Sequence, residues 1–257
     1  MGKLNNKTVF ITGASAGIGK ACAVSFAEEG ANLILSARRK EKLDALSENI
    51  KSKYGVKVYS FELDVRNSEK VKEKILSLPD EWKQIDILIN NAGLAKGFSK
   101  INDGDIEDWE AMIDTNIKGL LYVTRYILPL MIERKEGHVI NLGSIAGHQV
   151  YPYGNVYCAT KFAVNSLSEA IRMDTLENNI RVTNIAPGLV KTEFSEVRFN
   201  GDNERAENVY KGIEPLTGED IADLVLFAAT RKSHVNINEI VVTPTAQASA
   251  TQVFRKE

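Results

Sequence analysis

The chain has 257 residues, 44% of them hydrophobic and 26% charged, which suffices to bury an extensive apolar core in one α/β domain. Its formal net charge of −2 predicts no general attraction to nucleic acid or to an anionic membrane, so we expect neither as a partner. No apolar run approaches the roughly 20 residues that span a bilayer, and residues 1–7 lack a signal-peptide hydrophobic stretch, so we expect a cytoplasmic location.

Short apolar runs alternate along the chain with longer amphipathic stretches. The runs predict strands at residues 8–11, 32–37, 56–62, 85–90, 138–142, 181–186 and 239–243. The amphipathic stretches predict helices at residues 17–29, 40–54, 69–78, 105–135, 156–178 and 217–230. Regular alternation of strand and helix indicates a parallel sheet covered on both faces. We therefore expect a single doubly wound, Rossmann-type α/β domain over residues 1–257, with seven parallel strands and ligands at their carboxyl ends.

A glycine-rich turn joins the first predicted strand to the first predicted helix. Glycines let the backbone approach a phosphate closely, and the following helix presents free N–H groups and the positive end of its dipole. A glycine-rich turn alone is weak evidence, but a strand–turn–helix context strengthens it. The candidate pyrophosphate-binding residues of this turn are Gly13, Ser15, Gly17, Ile18 and Gly19.

The end of the second predicted strand indicates which dinucleotide binds. Proteins built for NAD usually have an acidic residue there for the ribose 2′-hydroxyl, and Ala37 cannot serve. Arg38 and Arg39 follow, and guanidinium groups bind phosphate in a bidentate manner. We therefore predict NADP as the cofactor. The alternative is that these arginines belong to a solvated run of charges at the start of the next helix.

Tyr157 and Lys161 are four residues apart in a predicted helix, so their side chains lie on one face. Tyrosine has an ordinary pKa of about 10, and a neighbouring ammonium group is expected to lower the pKa of the phenol. Such a pair suits proton exchange with an alcohol or a carbonyl oxygen. Ser144 follows the fifth predicted strand, where its hydroxyl can donate a hydrogen bond to a substrate oxygen. Tyr-x-x-x-Lys alone occurs in many helices, so this prediction depends on the upstream motifs.

Taken together, the motifs resemble the short-chain dehydrogenase/reductase family. They fall in the family's order from residue 7 to about residue 192, as Thr12–Gly19, Asn90–Gly93, Asn116, Ser144, Tyr157, Lys161 and Pro187–Gly188. The resemblance implies that Asn116 supports a proton-relay water and that Lys161 also holds the nicotinamide ribose. It implies further cofactor contacts from Asp64, Val65, Asn91, Tyr157, Pro187, Gly188, Val190 and Thr192. A turn cap is the alternative role for Asp64.

The resemblance also implies a homotetramer built on the helices predicted at residues 105–135 and 156–178. The sequence itself shows only apolar faces on these helices, and core packing explains such faces equally well.

Shorter segments are similar to one branch, the NADP-dependent serine and 3-hydroxy acid dehydrogenases. They are Ser77–Pro79, Ile106–Trp109, Gly188–Val190, Thr192–Ser195, Val197–Phe199 and Asn200–Asp202. The likeness implies a small 3-hydroxy acid as the substrate, such as serine, allo-threonine or 3-hydroxypropionate, in contact with Ser144 and Tyr157. A carboxylate needs a cationic partner, and Arg198 is the candidate. The alternative is that Arg198 is a solvent-exposed loop residue.

Residues 188–215 are polar, contain glycine and show little periodicity. A loop of this length is uncommon unless it has a function. We interpret it as a lid over the substrate, with a short helix at residues 204–210. A disordered excursion is the alternative, and the apolar Val197 and Phe199 argue against it.

Cys22 and Cys158 lie far apart and the histidines show no metal-ligand spacing, so we expect reduced cysteines and no metal.

Several other functions share part of this sequence pattern. An NADPH-dependent reductase of other ketones, aldehydes or 3-oxoacyl groups is the alternative within the oxidoreductases. Nucleotide-sugar epimerases share Tyr-x-x-x-Lys but usually need a larger C-terminal substrate domain. A catalytically silent NADP-binding protein would typically lose a member of the Ser–Tyr–Lys set, which is complete here.

Overall fold

A computed structural model describes residues 2–199 and 201–256, in which the strands form one sheet. The strands are β1 (Thr8–Thr12), β2 (Asn32–Ala37), β3 (Val58–Glu62), β4 (Ile87–Asn90), β5 (Gly137–Leu142), β6 (Ile180–Pro187) and β7 (Glu239–Val242). They lie in the order β3-β2-β1-β4-β5-β6-β7, and every neighbouring pair is parallel. The predicted doubly wound parallel sheet is therefore confirmed.

The helices follow the predicted alternation. They are α1 (Gly17–Glu28), α2 (Lys40–Tyr54), α3 (Ser68–Leu76), α4 (Ile106–Ile113), α5 (Leu120–Arg134), α6 (Asn155–Asp174), α7 (Phe194–Arg198), α8 (Asn203–Asn208) and α9 (Gly218–Ala229). The single helix predicted at residues 105–135 is divided into α4 and α5 by a π-helical turn at Asp114–Gly119. Such turns are rare and occur often at functional sites. No helix of the described ranges is both long and apolar enough to span a membrane.

Both faces of the sheet are covered, so successive strand residues enter two different cores. In β1, Ile11 packs in the cluster that holds Phe26 of α1 and Val225 of α9. Phe10 points to the opposite face and packs in the cluster that holds Ile127 of α5. All five of these side chains are fully buried. This burial on both faces explains why the strands appear in the sequence as continuous apolar runs.

Residues 188–215 contain two short helices, α7 and α8, of which only the second was predicted, at residues 204–210. The buried Tyr210 holds this segment together, because its hydroxyl lies 2.7 Å from Ser195 Oγ and donates to the Val190 carbonyl at 2.9 Å. Asn200, which is part of a motif quoted above, lies outside the described residues. The described part of the segment is therefore a folded unit that follows β6 at the carboxyl edge of the sheet.

Candidate active site

The glycine-rich turn after β1 is held close to the strand ends by one side chain. Asn91, which follows β4, donates its amide Nδ2 to the carbonyls of Thr12 at 2.9 Å and Gly13 at 3.2 Å. Gly13 and Gly17 have φ values of +66° and +51°, which disfavour any other residue. A Cβ at Gly19 would lie 2.4 Å from Asn91 Nδ2. The turn therefore presents bare backbone at the start of α1, as a pyrophosphate requires.

A cleft of about 460 Å³ runs along the carboxyl ends of the strands. The predicted residues that line it are Gly13, Ser15, Gly17, Ile18, Arg38, Arg39, Asp64, Val65, Asn91, Lys161, Pro187 and Thr192. Four predicted cofactor residues do not form its wall within the described ranges, namely Gly19, Tyr157, Gly188 and Val190. Gly188 instead donates its backbone N–H to Val242 at 2.7 Å, and Val190 accepts from Tyr210.

The two arginines after β2 have different surroundings. Arg39 donates Nη1 to Glu193 at 2.6 Å and directs Nε and Nη2 to Ser15 Oγ at 3.3 Å. Arg38 lines the cleft and makes no hydrogen bond or ion pair to any described side chain. A phosphate at this end of the cleft would therefore meet a guanidinium with all of its donors free.

Asp64, two residues after β3, acts as the turn cap considered for it, and its contact with the cofactor stays a prediction. It lines the cleft, and its carboxylate also accepts the backbone N–H of Arg66 at 3.1 Å, as a turn cap does. The hydrogen bond from the Arg66 side chain holds the pKa of Asp64 below its usual value, and Arg38 contributes in the same direction.

Ser144, Tyr157 and Lys161 lie close together beside the cleft. Only Lys161 forms part of the cleft wall, whereas Tyr157 lines a separate small pocket with Arg198. Tyr157 and Lys161 lie one turn apart on α6 and are 8% and 7% exposed. The Lys161 Nζ lies 5.9 Å from the centroid of the Tyr157 ring and donates to the Leu142 carbonyl at 2.7 Å. Ser144 Oγ accepts the Ala146 N–H at 3.1 Å and donates to the Pro187 carbonyl at 3.3 Å. The predicted set is thus assembled from the end of β5, the start of α6 and the end of β6.

Arg198, at the end of α7, lies beside this set. Its Nη1 donates to the Tyr151 hydroxyl at 2.8 Å, and its guanidinium carbon lies 4.8 Å from the centroid of the Phe98 ring and 5.7 Å from that of Tyr157. The side chain is half-buried among these rings, which differs from the solvent-exposed alternative. Tyr151 and Phe98 were not predicted as site residues, because neither belongs to a motif.

Comparisons with known proteins show the family to which the chain belongs. A family model described as short chain dehydrogenase matches residues 7–203. The chain belongs to the short-chain dehydrogenase family. An NADP-dependent 3-hydroxy acid dehydrogenase of Schizosaccharomyces pombe is 46% identical over 258 residues, covering 100% of both chains. A serine 3-dehydrogenase of Rhizobium radiobacter is 43% identical over 250 residues, covering 97% of this chain and 98% of its own. A solved closed form of serine dehydrogenase complexed with NADP+ has a TM-score of 0.90 at 45% identity, covering 97% of this chain and 100% of that one.

In this short-chain dehydrogenase the pKa of the tyrosine departs from the sequence-based expectation. Burial raises the pKa of Tyr157 above its usual range, and the neighbouring Tyr151 adds to the rise. Ser144 and Arg198 act in the opposite direction. Burial also lowers the pKa of Lys161 to about 8. The prediction that Lys161 lowers the pKa of Tyr157 is therefore wrong for this structure, because both groups are desolvated together and the ammonium is directed at Leu142.

Asn116 lies in the π-helical turn and is almost fully buried. Its side-chain oxygen accepts the Leu94 N–H at 2.9 Å, and its Nδ2 donates to the Leu94 carbonyl at 2.8 Å and to Thr160 Oγ1 at 3.0 Å. The side chain thus ties the segment after β4 to α6, the helix of Tyr157 and Lys161. The proton-relay role of Asn116 stays a prediction.

Proposed function

We propose that this chain is an NADP-dependent oxidoreductase that transfers hydride between NADP(H) and a small 3-hydroxy acid, or the matching carbonyl compound. The observation that carries the proposal is the half-buried guanidinium of Arg198, 5.7 Å from the ring centroid of Tyr157. A group for proton exchange and a cation then lie side by side, and a short hydroxy acid carries an alcohol for the first and a carboxylate for the second. The names of the relatives support the same substrate class.

The residues at the cleft fit NADP. The glycine turn presents backbone to a pyrophosphate, because Gly13 and Gly17 line the cleft and have no side chains that would fill it. Ala37 offers no carboxylate to the ribose 2′-hydroxyl, and Arg38 offers a free guanidinium to a 2′-phosphate. When bound, NADP accepts hydride at the nicotinamide C4, and NADPH donates it.

The side chains of the site then have separate roles. Tyr157 gives its phenolic proton to the carbonyl oxygen in reduction and takes the hydroxyl proton in oxidation. The raised pKa of the phenol favours its donor role in reduction over its acceptor role in oxidation. Ser144 donates its hydroxyl hydrogen to the substrate oxygen, in place of the 3.3 Å bond to Pro187. Lys161, charged below about pH 8, holds the nicotinamide ribose.

Arg198 binds the carboxylate in this proposal. The aromatic rings of Phe98 and Tyr151 hold the guanidinium by cation–π contact at 4.8 Å and 5.4 Å. We further propose that residues 188–215 form a lid on a single domain, because α7 of this segment carries Arg198 and its neighbours Phe194 and Val197 line the cleft.

An NADP-coupled absorbance screen tests the proposal. Wild-type protein should turn over short 3-hydroxy acids faster than uncharged alcohols of equal size. Arg198→Ala should raise the KM for hydroxy acids by about tenfold or more, since a charge-assisted hydrogen bond contributes roughly 1.5–3 kcal/mol. It should spare uncharged ketones, and Arg205→Ala on α8 is the matched control. Equal effects on charged and uncharged substrates would remove Arg198 from the pocket, and a preference for bulky ketones or 3-oxoacyl groups would favour the alternative reductase.

We also infer that the protein works in the cytoplasm and that it forms a homotetramer, the second as the family resemblance implies. Exposed apolar side chains on the outer faces of α5 and α6 support the assembly, among them Leu121, Phe162 and Met173. Light scattering at micromolar concentration tests it, and a monomeric mass would contradict it.

A further inference from the structure

Glu193 joins two segments that are far apart in the sequence, across the mouth of the cofactor cleft. Its Oε2 accepts from Arg39 Nη1 at 2.6 Å, and its Oε1 accepts from Lys42 Nζ at 2.9 Å. Arg39 and Lys42 belong to the turn after β2 and the first turn of α2, whereas Glu193 immediately precedes α7. Hydrogen bonds from Lys42 and Arg39 hold the pKa of Glu193 below its usual value, so the carboxylate is charged at neutral pH.

The segment that follows Glu193 is held by hydrogen bonds within itself and to the rest of the domain. Ser195, two residues after Glu193, lies 2.7 Å from the Tyr210 hydroxyl. Arg198 closes the same helix, and its backbone carbonyl accepts the Gly97 N–H at 3.2 Å. Glu193 therefore lies at the start of the helix whose last residue, Arg198, contacts the ring of Tyr157.

The two ion pairs leave Arg38 as the free cation of this end of the cleft. Arg39 is committed to Ser15 and Glu193, while Arg38 makes no ion pair in the ranges that the structure describes. The carboxylate therefore binds the basic turn beside the predicted phosphate site without occupying the arginine that is best placed to bind the phosphate.

We propose that Glu193 is a positioning residue that clasps the lid segment to Arg39 and Lys42, so that bound NADP(H) is released slowly. The proposal rests on the NADP site of the proposed function. The charge of Glu193 and its proposed ion-pair role predict opposite effects of removing the carboxylate on NADPH binding. Removal of a negative charge near a phosphate-binding site would, by charge alone, tighten NADPH binding. Loss of the two ion pairs of Glu193 should instead accelerate the release of NADPH.

The experiment is stopped-flow measurement of NADPH release by fluorescence, without substrate. Glu193→Gln should release NADPH about two- to tenfold faster, the effect expected of two exposed ion pairs. Glu196→Gln, on the exposed side of the same helix, removes one negative charge without breaking an ion pair and should leave the rate unchanged.

Lys42→Met should reproduce part of the Glu193→Gln effect, whereas Lys40→Met, which loses only its pair with Asp44 on the same helix, should not. The Glu193→Gln and Lys42→Met effects should be less than additive in the double variant. The difference in release rate between wild type and Glu193→Gln should shrink at high salt, because exposed ion pairs are screened.

Tighter NADPH binding by Glu193→Gln, an unchanged release rate, or additive effects of the two variants would overturn the clasp. None of these outcomes tests the proposed hydroxy acid activity, because the release experiment contains no substrate. Failure of the wild-type protein to bind NADPH would overturn the cofactor site and the clasp together.

Discussion

Arg38→Ala is the sharpest test of how the chain selects its cofactor. Arg38 lines the cleft with no partner among the described side chains, whereas Arg39 already donates to Ser15 and Glu193. A hydrogen bond between a guanidinium and a charged acceptor contributes roughly 1.5–3 kcal/mol. That energy corresponds to a factor of about 10 to 150 in Kd. Arg38→Ala should therefore weaken NADPH binding by this factor and leave NADH binding nearly unchanged.

The assay is fluorescence titration of both dinucleotides against wild type, Arg38→Ala and Arg39→Ala at one ionic strength, because phosphate contacts are salt-dependent. Arg39→Ala should cost less than Arg38→Ala, since part of its donor capacity is already used within the protein. A larger loss for Arg39→Ala, or an equal loss of NADH and NADPH affinity in Arg38→Ala, would refute the assignment of the 2′-phosphate to Arg38.

Three further variants test individual contacts of the site. Because the pKa of Lys161 falls from 10.5 to about 8 on folding, the unfolded chain binds more protons between these values and stability rises with pH there. The free energy of unfolding of wild type minus that of Lys161→Met should therefore rise by about 3 kcal/mol over this interval in urea titrations, and a flat difference would contradict the burial effect. Asn116→Ala should lower the free energy of unfolding by about 1–3 kcal/mol, because it leaves the Leu94 N–H and carbonyl unpaired; the same assay on the exposed Asn102→Ala is the control. Tyr151→Phe should raise the KM for hydroxy acids about two- to tenfold by freeing Arg198, and a larger effect on kcat than on KM would point to Tyr157 instead.

Much of the fold could be predicted from the sequence because both faces of the sheet are covered. Burial on both faces makes each strand a continuous apolar run, and the helices between them are long and amphipathic. The π-helical turn at Asp114–Gly119 had no such signal, because it is only six residues long and lies directly between two helices. The five-residue helix α7 was missed for another reason, since it is too short to show a period.

The residues of the candidate site could be predicted from the sequence, but their burial, pKa shifts and tertiary contacts could not. Spacing placed Tyr157 and Lys161 on one helix face, and the structure keeps them 5.9 Å apart, from ammonium nitrogen to ring centroid. The direction of the pKa shift depends on how deeply both are buried, which no local pattern reveals. The hydrogen bond of Arg198 to Tyr151 joins residues 47 positions apart, so only the tertiary structure brings them together.

The most direct test of the central claim is the single-turnover rate of carbonyl reduction by Tyr157→Phe, compared with wild type at saturating NADPH. The variant lacks only the phenolic oxygen, so its Kd for NADPH should remain that of wild type while the rate falls at least about a hundredfold, the lower end for acid–base catalysis. A rate near that of wild type, with NADPH bound equally well, would contradict the assignment of proton transfer to this side chain.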